Sequence, residues 1–566
     1  EALDYLGNIY YKGENVEKNY EKAFQYFELS ARQDNPDALC KIGYFYENGY
    51  SCRKDFHKAK DFYEKSAKQD YPLALNYLGM IFIQGTGIAI DHKKGVQYLE
   101  QAEKLNSPEA CVNLGYFYNF QSKNLDYSKG RYYYEKAIQL GSITAFLYMG
   151  NLYFFGVGVQ QNFLQAKEWY EKAAEHDDAD AFNVIGHLYN TGKGVAVNYT
   201  KAKEYFEKAV KKDHPNACNS LGNIYLYGNG IAPDYYKAKD LFEKSANLGN
   251  SRGRYLLGKW YLEGFNGTKD YLKAIECFEQ SDFPLAYLSL GDICFKGLGV
   301  KKDIEKAIYY YKIASDNRNT IASFLLGVIY YYGNGVEQNY DIAKEYFIKS
   351  SNENDFNAFY YLAQLYENGK GMKMDLLKAI ECYKKCISRQ NEILKIEYSQ
   401  GCSYQKIENE KYYQSYNNLG MIYLFEYDNI ETAEKYLSTA GYSEFPYGKN
   451  NFGVLKQFFL NDISKAMNMY ENAAKYHFSI SEFLFGRIFE EKGETSKAMD
   501  HYKNILKYVK EPLIYKNVEY GDEQLYSSNL FIYCLSNLKL LQNSISNHDT
   551  QNSTKYIVNI IFNSLF

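Results

Sequence analysis

Residues 181–209 read AFNVIGHLYNTGKGVAVNYTKAKEYFEKA, and this stretch contains the two patterns that decide the fold. Ala181, Ile185 and Tyr189 follow one another at four-residue intervals, which places them on one stripe of an α-helix. A Gly-Lys-Gly sequence at 192–194 separates this helix from a second pattern, KAKEYFEKA, with the same periodicity. The stretch therefore predicts two helices joined by a glycine turn.

The same two-helix pattern recurs along most of the chain. A small residue in a Leu/Ile-Gly-x-x-Tyr context, called the marker below, returns most often every 36 residues. The markers are Gly7, Gly43, Gly79, Gly115, Gly150, Gly186, Gly222, Gly258, Gly291, Gly327, Ala363, Gly420, Gly453 and Gly486. In most units a second small residue follows 16 positions later: Ala23, Ala59, Gly95, Ala166, Ala202, Ala238, Ala274, Ala307, Ala343 and Ala379. We therefore predict an array of about 14 helix pairs.

The ends of the helices are marked with the same regularity. Six prolines stand seven residues before a marker, in the first helical turn, where a missing amide is tolerated: Pro36, Pro72, Pro108, Pro215, Pro284 and Pro446. An Asn or Asp precedes the second helix, where it predicts an N-cap: Asn19, Asp55, Asp91, Asp126, Asn162, Asn198, Asp234, Asp270, Asp303, Asn339 and Asp375.

A Gly-x-Gly sequence follows the first helix in seven units, as at Gly156 and Gly158. A nucleotide-binding loop is not indicated, because the third glycine of a dinucleotide loop and the Gly-Lys-Ser/Thr of a phosphate loop are both missing. We expect a positive φ at one or both glycines, so that the chain can reverse. The marker glycine lowers helix propensity by about 1 kcal/mol relative to alanine, so its recurrence predicts a close approach between helices.

The pattern resembles that of Sel1-like repeats, the 36-residue relatives of tetratricopeptide repeats. Their motif reads approximately A-x-x-x-L-G-x-x-Y-x-x-G-x-G-V…D-x-x-K-A-x-x-W/Y-Y-x-K-A-A, and residues 181–209 match it nearly throughout. The resemblance covers about residues 1–507. It implies an all-α, right-handed α-solenoid whose first helices line the concave side. It also implies that the protein binds and scaffolds other proteins and performs no catalysis.

Irregular spacing divides the array into four predicted parts. The distance from Ala274 to Gly291 is 17 residues instead of the usual 20, so about one helical turn is missing there. From Ala379 to Gly420 it is 41, and the added residues either extend a helix or form an excursion. We predict a first arm (1–283), a second arm (284–400), shorter tetratricopeptide-like repeats (401–507) and a C-terminal helical cap (508–566). The chain begins inside a helical pattern, and we therefore expect it to begin within an array.

Composition and motifs point away from several functions. The net charge of −4, from 65 basic and 69 acidic side chains, gives no basis for nucleic-acid binding. No apolar run reaches the roughly 18 to 20 residues that cross a bilayer, so we expect no direct membrane insertion. The sequence has no His-Glu-x-x-His or Cys-x-x-Cys motif and indicates no catalytic, metal or cofactor-binding residues. The ten cysteines show no repeat-by-repeat pairing, which favours the cytoplasm over the alternative, the lumen of the endoplasmic reticulum.

The leading functional hypothesis is an adaptor that collects protein partners along an extended surface. Two alternatives stay open at this point. The first alternative is a permanent component of a large cytoskeletal or membrane-associated assembly. The second is the regulatory arm of an enzyme whose catalytic domain lies outside this segment.

Positions −3, +1 and +4 from the marker lie opposite the core stripe of each first helix, and we expect them to face a partner. In the first arm this row is polar and suited to a peptide backbone: Asn151, Asn183, His187, Asn190, Asn219 and Asn223. In the second arm it is apolar: Leu288, Phe295, Phe324, Val328, Tyr331 and Tyr360. Packing between neighbouring first helices is the competing role for positions −3 and +1.

Overall fold

The computed structural model describes residues 2–265, 267–399 and 410–504, apart from positions 477, 495, 499, 502 and 503. Throughout this part the fold is all-α and built from helix-turn-helix repeats, as predicted. The predicted cap at 508–566 lies outside the described residues.

Odd-numbered helices are the first helices of the repeats. They are α1 (Ala2–Lys12), α3 (Pro36–Asn48), α5 (Pro72–Gln84), α7 (Pro108–Tyr116), α9 (Ile143–Phe155), α11 (Ala179–Thr191), α13 (Pro215–Tyr227), α15 (Ser251–Glu263), α17 (Pro284–Lys296), α19 (Thr320–Tyr332), α21 (Phe356–Asn368), α23 (Glu410–Phe425), α25 (Pro446–Val454) and α27 (Ser479–Glu491). Helices α7 and α25 continue into π-helical segments, Phe117–Gln121 and Leu455–Phe459.

Even-numbered helices are the second helices. They are α2 (Tyr20–Ala31), α4 (Phe56–Ala67), α6 (His92–Lys104), α8 (Tyr127–Gln139), α10 (Phe163–Glu175), α12 (Tyr199–Lys211), α14 (Tyr235–Asn247), α16 (Tyr271–Glu279), α18 (Ile304–Asp316), α20 (Tyr340–Ser351), α22 (Leu376–Ser399), α24 (Ile430–Gly441) and α26 (Ile463–Ala474).

The predicted helix starts are confirmed. Each of the six prolines at position −7 is the first residue of a first helix. At the second helices the predicted Asn and Asp side chains cap the backbone, as when Oδ1 of Asn198 accepts a hydrogen bond from the amide of Lys201 at 2.9 Å. These caps satisfy amides that have no partner inside the helix, and they fix where each helix begins.

The glycine turn is also confirmed. Gly156 ends α9 with φ +71°, and Gly158 follows with φ +67°. Residues with a Cβ rarely adopt this left-handed conformation, so glycine is favoured at the reversal; Asn15 and Ser51 take the place of the second glycine in two repeats, with φ 60° and 57°.

The core explains the marker glycine. A Cβ placed on Gly186 would lie 2.6 Å from Cε1 of Phe206, a second-helix ring that is fully buried beside Ala202. Gly150 is covered in the same way by Tyr170, at 2.4 Å from its Cε1. The predicted close approach is therefore a contact between the first-helix backbone and one large side chain of the second helix, an aromatic ring in most repeats and a leucine at Gly79 and Gly420.

The irregular spacings have two structural outcomes. Helix α16 is 9 residues long, whereas α14 has 13, which accounts for the missing turn.

The added residues after Ala379 extend α22 to 24 residues, and residues 400–409 lie outside the described part. Ile387 and Gln390 are buried, and the hydroxyl of Tyr412 donates to Oδ1 of Asn391 at 2.7 Å. The beginning of the insertion is therefore core, and a deletion of 387–412 would remove packed side chains.

The chain forms two compact units, one ending at Ala286 and one starting at Tyr287. The repeats that are relevant to the sites below lie within one unit or the other. The boundaries of the four predicted parts remain predictions.

Candidate partner-binding surface

In the first unit, the most exposed side of the first helices is a row that starts six residues before the marker. Positions −6, −2, +1 and +5 lie on one helix face because they are spaced by three or four residues. In α11 they are Asp180, Val184, His187 and Thr191, of which only Val184 is partly covered. We call these four positions, in the first helices α1 to α15, the exposed row.

Four aromatic residues occupy positions of the exposed row in α7, its π-helical extension and α9. Tyr116, Phe120 and Phe155 are 36%, 43% and 66% exposed. The ring centre of Tyr116 lies 5.1 Å from that of Phe120 and 6.0 Å from that of Tyr148 on the next first helix. We call Tyr116, Phe120, Tyr148 and Phe155 the aromatic patch.

Three of the predicted partner-binding residues, Asn151, His187 and Asn223, lie in the exposed row at position +1. Oδ1 of Asn151 accepts a hydrogen bond from the hydroxyl of Tyr170 at 2.8 Å. Nε2 of His187 lies 3.1 Å from Oγ of Ser220. Desolvation against the neighbouring helices lowers the pKa of His187, so the imidazole is neutral at neutral pH.

The other three polar residues are placed differently from the prediction. Asn183 and Asn219, at position −3, are buried, and Nδ2 of Asn219 donates to Oδ1 of Asn250 at 3.1 Å. Asn250 caps the first helix of the next repeat, so position −3 packs between neighbouring repeats. Asn190, at position +4, is half-buried. The prediction that position −3 faces a partner is therefore wrong for Asn183 and Asn219.

The apolar strip predicted in the second unit is mostly core. Val328, Tyr331 and Tyr360 are only 7%, 0% and 5% exposed, and they belong to one buried cluster. Leu288, Phe295 and Phe324 are half-buried. The ring of Tyr331 lies 5.3 Å from that of Tyr361, and Phe324 packs against the same cluster. The expectation of an open apolar strip is thus wrong for Val328, Tyr331 and Tyr360, because neighbouring aromatic rings cover them.

Tyrosines of the second helices reach the first helices with their hydroxyl groups. Tyr63 donates to Glu47 at 2.6 Å, and Tyr383 donates to Glu367 at 2.6 Å. Burial raises the pKa of Glu367 to about 7, against the opposing effect of the hydrogen bond from Tyr383. A Tyr 20 residues after the marker, paired with a polar residue at +1 or +4, is the sequence signal for this contact.

The described residues offer little for other kinds of site. Among them, no three His, Cys, Asp or Glu side chains are grouped in a way that holds a metal ion. None of the described helices combines the length and the apolar character needed to span a membrane.

The Sel1 repeat family matches the chain eleven times, at residues 1–35, 36–71, 72–107, 108–142, 147–178, 183–214, 215–250, 251–281, 284–319, 320–355 and 358–389. The chain belongs to the Sel1 repeat family. The matches end before the shorter repeats that follow α22. Proteins of this family are typically protein-binding scaffolds. No curated protein matches this Sel1 repeat protein.

Several solved structures are similar to this Sel1 repeat protein. A protective antigen of uropathogenic Escherichia coli with an SLR fold is 25% identical, with 82% of this chain and 97% of that chain covered and a TM-score of 0.44. A Sel1 repeat protein from Oxalobacter formigenes is 24% identical, with 54% and 90% covered and a TM-score of 0.42. An immunity protein from Pseudomonas aeruginosa is 23% identical, with 37% and 81% covered and a TM-score of 0.27.

Proposed function

We propose that this Sel1 repeat protein is a non-catalytic adaptor that holds a partner protein against the exposed row of its first helices. The aromatic patch is the observation that carries the proposal. Partly exposed aromatic rings are enriched among the residues that dominate binding energy at protein interfaces, because they bury a large area at a small cost in conformational entropy.

The packing of the patch supports a preformed binding surface. Tyr148 stacks on the buried ring of Tyr134, with the ring centres 5.3 Å apart, and Tyr116 packs edge-on against Tyr148. Phe155 packs edge-on against Phe154 at 4.9 Å. The exposed rings thus rest on fixed neighbours, and a partner that covers them loses little side-chain freedom.

Polar groups beside the patch complement it. Asn151 lies between Tyr148 and Phe155 in the exposed row of α9, and His187 and Asn223 continue the row on α11 and α13. Amide and imidazole groups donate and accept hydrogen bonds, which suits the backbone of an extended segment. We therefore propose an extended protein segment as the partner. The aromatic rings anchor its side chains, and the polar groups form hydrogen bonds with its backbone.

A reducing, cytoplasmic location is part of the proposal. Cys40 and Cys111 are buried free thiols, and burial raises the pKa of Cys111 to about 11. A thiol that stays protonated is a poor nucleophile for disulfide exchange, in keeping with structural cysteines in a reducing compartment.

Quantitative pull-down from the source organism tests the proposal. The wild type is compared with Phe120→Ala/Phe155→Ala, which removes two exposed rings of the patch. The matched control is Tyr236→Ala/Tyr309→Ala, which removes two rings that are 67% and 60% exposed on second helices. We expect the patch variant to lose at least about 2 kcal/mol of binding free energy for the main partner, while the control retains it. Equal recovery by all three folded proteins would refute the patch as the anchor.

A further inference from the structure

A groove of about 1020 Å³ lies in the first unit. It is lined by the turn at 88–91, the start of α6 and the turn at 122–124. Its apolar lining includes Phe82, Val96 and Phe117. A groove of this size accommodates several residues of a peptide.

The groove exists because one repeat has an irregular turn. In regular repeats the second turn glycine covers the first residue of the preceding second helix. A Cβ on Gly87 would lie 2.4 Å from Cβ of Phe56, and one on Gly158 would lie 2.3 Å from Cβ of Tyr127. The equivalent residue at the start of α6 is His92, and the turn at 122–124 contains no glycine.

His92 is covered by a side chain instead of a turn. Its ring packs edge-on against Phe117, with the ring centres 5.4 Å apart. Phe117 is the first residue of the π-helical segment. The irregular end of this helix therefore supplies the ring that contacts His92. The backbone that closes this position in neighbouring repeats is replaced by the open groove.

The groove carries an excess of positive charge. Lysines 60, 93, 94 and 123 line it, against two acidic residues, Asp91 and Glu100. Asp91 accepts a hydrogen bond from the amide of Lys94 at 2.9 Å, as the N-cap of α6. Oε1 of Glu100 lies 3.9 Å from Nζ of Lys129. Both carboxylates are thus already engaged.

The lysines differ in how they are held. Nζ of Lys60 lies 3.0 Å from Oε1 of Glu64, and Nζ of Lys94 lies 4.3 Å from the ring centre of Phe82. Lys93 and Lys123 are both exposed. Lys93 lies at the start of α6, and Lys123 lies in the irregular turn. These two ammonium groups are the ones best placed to meet a ligand's charge.

We propose that this groove binds an acidic peptide segment that inserts an apolar side chain. The apolar lining receives that side chain, while Lys93 and Lys123 meet the flanking carboxylates. A peptide is favoured over a nucleic acid because the chain has a net charge of −4 and the groove is lined by apolar as well as basic side chains. The site is distinct from the aromatic patch, because none of the four patch residues lines the groove.

Selection from a random 12-residue peptide library identifies the ligand class. The library is selected on the wild type, on Lys93→Glu/Lys123→Glu, and on Lys301→Glu/Lys373→Glu. The last variant makes the same charge change at two exposed lysines of the second unit. We expect peptides rich in Asp and Glu around Leu, Ile or Phe from the wild type and the control, and their absence from the groove variant. The same acidic enrichment on all three proteins, or none on the wild type, would overturn the proposal.

Fluorescence polarisation of the most enriched peptide provides the quantitative test. We expect the groove variant to bind about tenfold more weakly or worse, and the affinity of the wild type to fall as ionic strength rises from about 0.05 to about 0.5 M. Phe120→Ala/Phe155→Ala should bind this peptide like the wild type, which separates the groove from the aromatic patch. Stronger binding of a 12-residue oligouridine than of the peptide would assign the groove to nucleic acid and overturn the peptide assignment.

Discussion

The repeats marked by Gly115 and Gly186 have the same core and different turns. In both, the marker backbone packs against a fully buried ring of the second helix, Tyr134 or Phe206. In the repeat of Gly186, the chain reverses after the first helix through two glycines with φ +72°. In the repeat of Gly115, the first helix ends in a π-helical segment, and a turn without glycine follows.

This difference separates what holds the array together from what makes one repeat distinct. The ring-on-glycine contact recurs in most of the helix pairs and leaves no room for a Cβ at the marker, so it tolerates little change. The turn lies at the surface, and its replacement leaves the pair intact while it exposes Phe120 and opens the groove at His92. Functional surfaces are expected where the turn departs from the pattern, because surface loops accept such change.

The largest expected effect comes from the shared contact. Gly115→Ala and Gly186→Ala would place Cβ 2.4 Å and 2.6 Å from a buried ring, so each should lower the free energy of unfolding by about 1–3 kcal/mol through overpacking. Urea unfolding followed by circular dichroism measures this, with exposed Thr191→Ala as the control. If only one of the two glycine variants is destabilised, the repeats do not share a core.

A smaller effect is expected at the turns, and here the two repeats should differ. Gly192→Ala forces a side chain into the left-handed region at φ +72° and should cost about 1 kcal/mol. Ser122→Ala, in the irregular turn, removes only an exposed hydrogen bond to the carbonyl of Asn124 and should change stability by less than about 0.5 kcal/mol. Equal losses in urea unfolding would contradict the distinction between the two turns.

A pH-dependent effect extends the comparison to the second unit. Asn151 and Glu367 both accept a tyrosine hydroxyl, but only Glu367 titrates. Because burial raises its pKa from 4.5 to about 7, the folded state holds the proton more tightly than the unfolded state. Its contribution to stability is therefore fully present below pH 4.5 and is lost as pH rises towards 7.

Glu367→Gln should remove that pH dependence. We expect the difference in unfolding free energy between pH 4.5 and pH 7.5 to shrink relative to the wild type, by up to about 3 kcal/mol, the bound that a pKa shift from 4.5 to about 7 sets. Glu345→Gln, on the exposed face of α20, controls for the loss of one charge. An unchanged pH profile in Glu367→Gln would show that this carboxyl group is not the titrating one.

The sequence predicts the repeats because each structural need has its own residue type. Proline at −7, Asn or Asp before the second helix, and glycine at φ +71° are local requirements that one residue satisfies alone. The marker glycine predicts close packing, although its partner, the ring 20 residues later, is identified only by the structure.

The sequence predicts the candidate site less well because a helical wheel does not include the neighbouring repeats. The predicted row at −3, +1 and +4 and the exposed row differ by roughly 60° around the helix. Asn183 and Tyr331 fall on the side that the neighbouring helices cover, whereas Asn151 and His187, at the shared position +1, are found in the exposed row. The groove at His92 depends on a π-helical segment, for which the spacing gave no signal beyond one missing residue between Gly115 and Gly130.

Site-specific photocrosslinking tests most directly the claim that the exposed row holds the partner. Benzoylphenylalanine is placed at Phe155 in the exposed row and, in a second protein, at Tyr236 on a second helix, since both side chains are about two-thirds exposed. Each protein is irradiated in an extract of the source organism, and the crosslinked products are identified by mass spectrometry. We predict one predominant protein crosslinked from position 155 and not from position 236. A predominant crosslink from position 236, with none from position 155, would contradict the assignment.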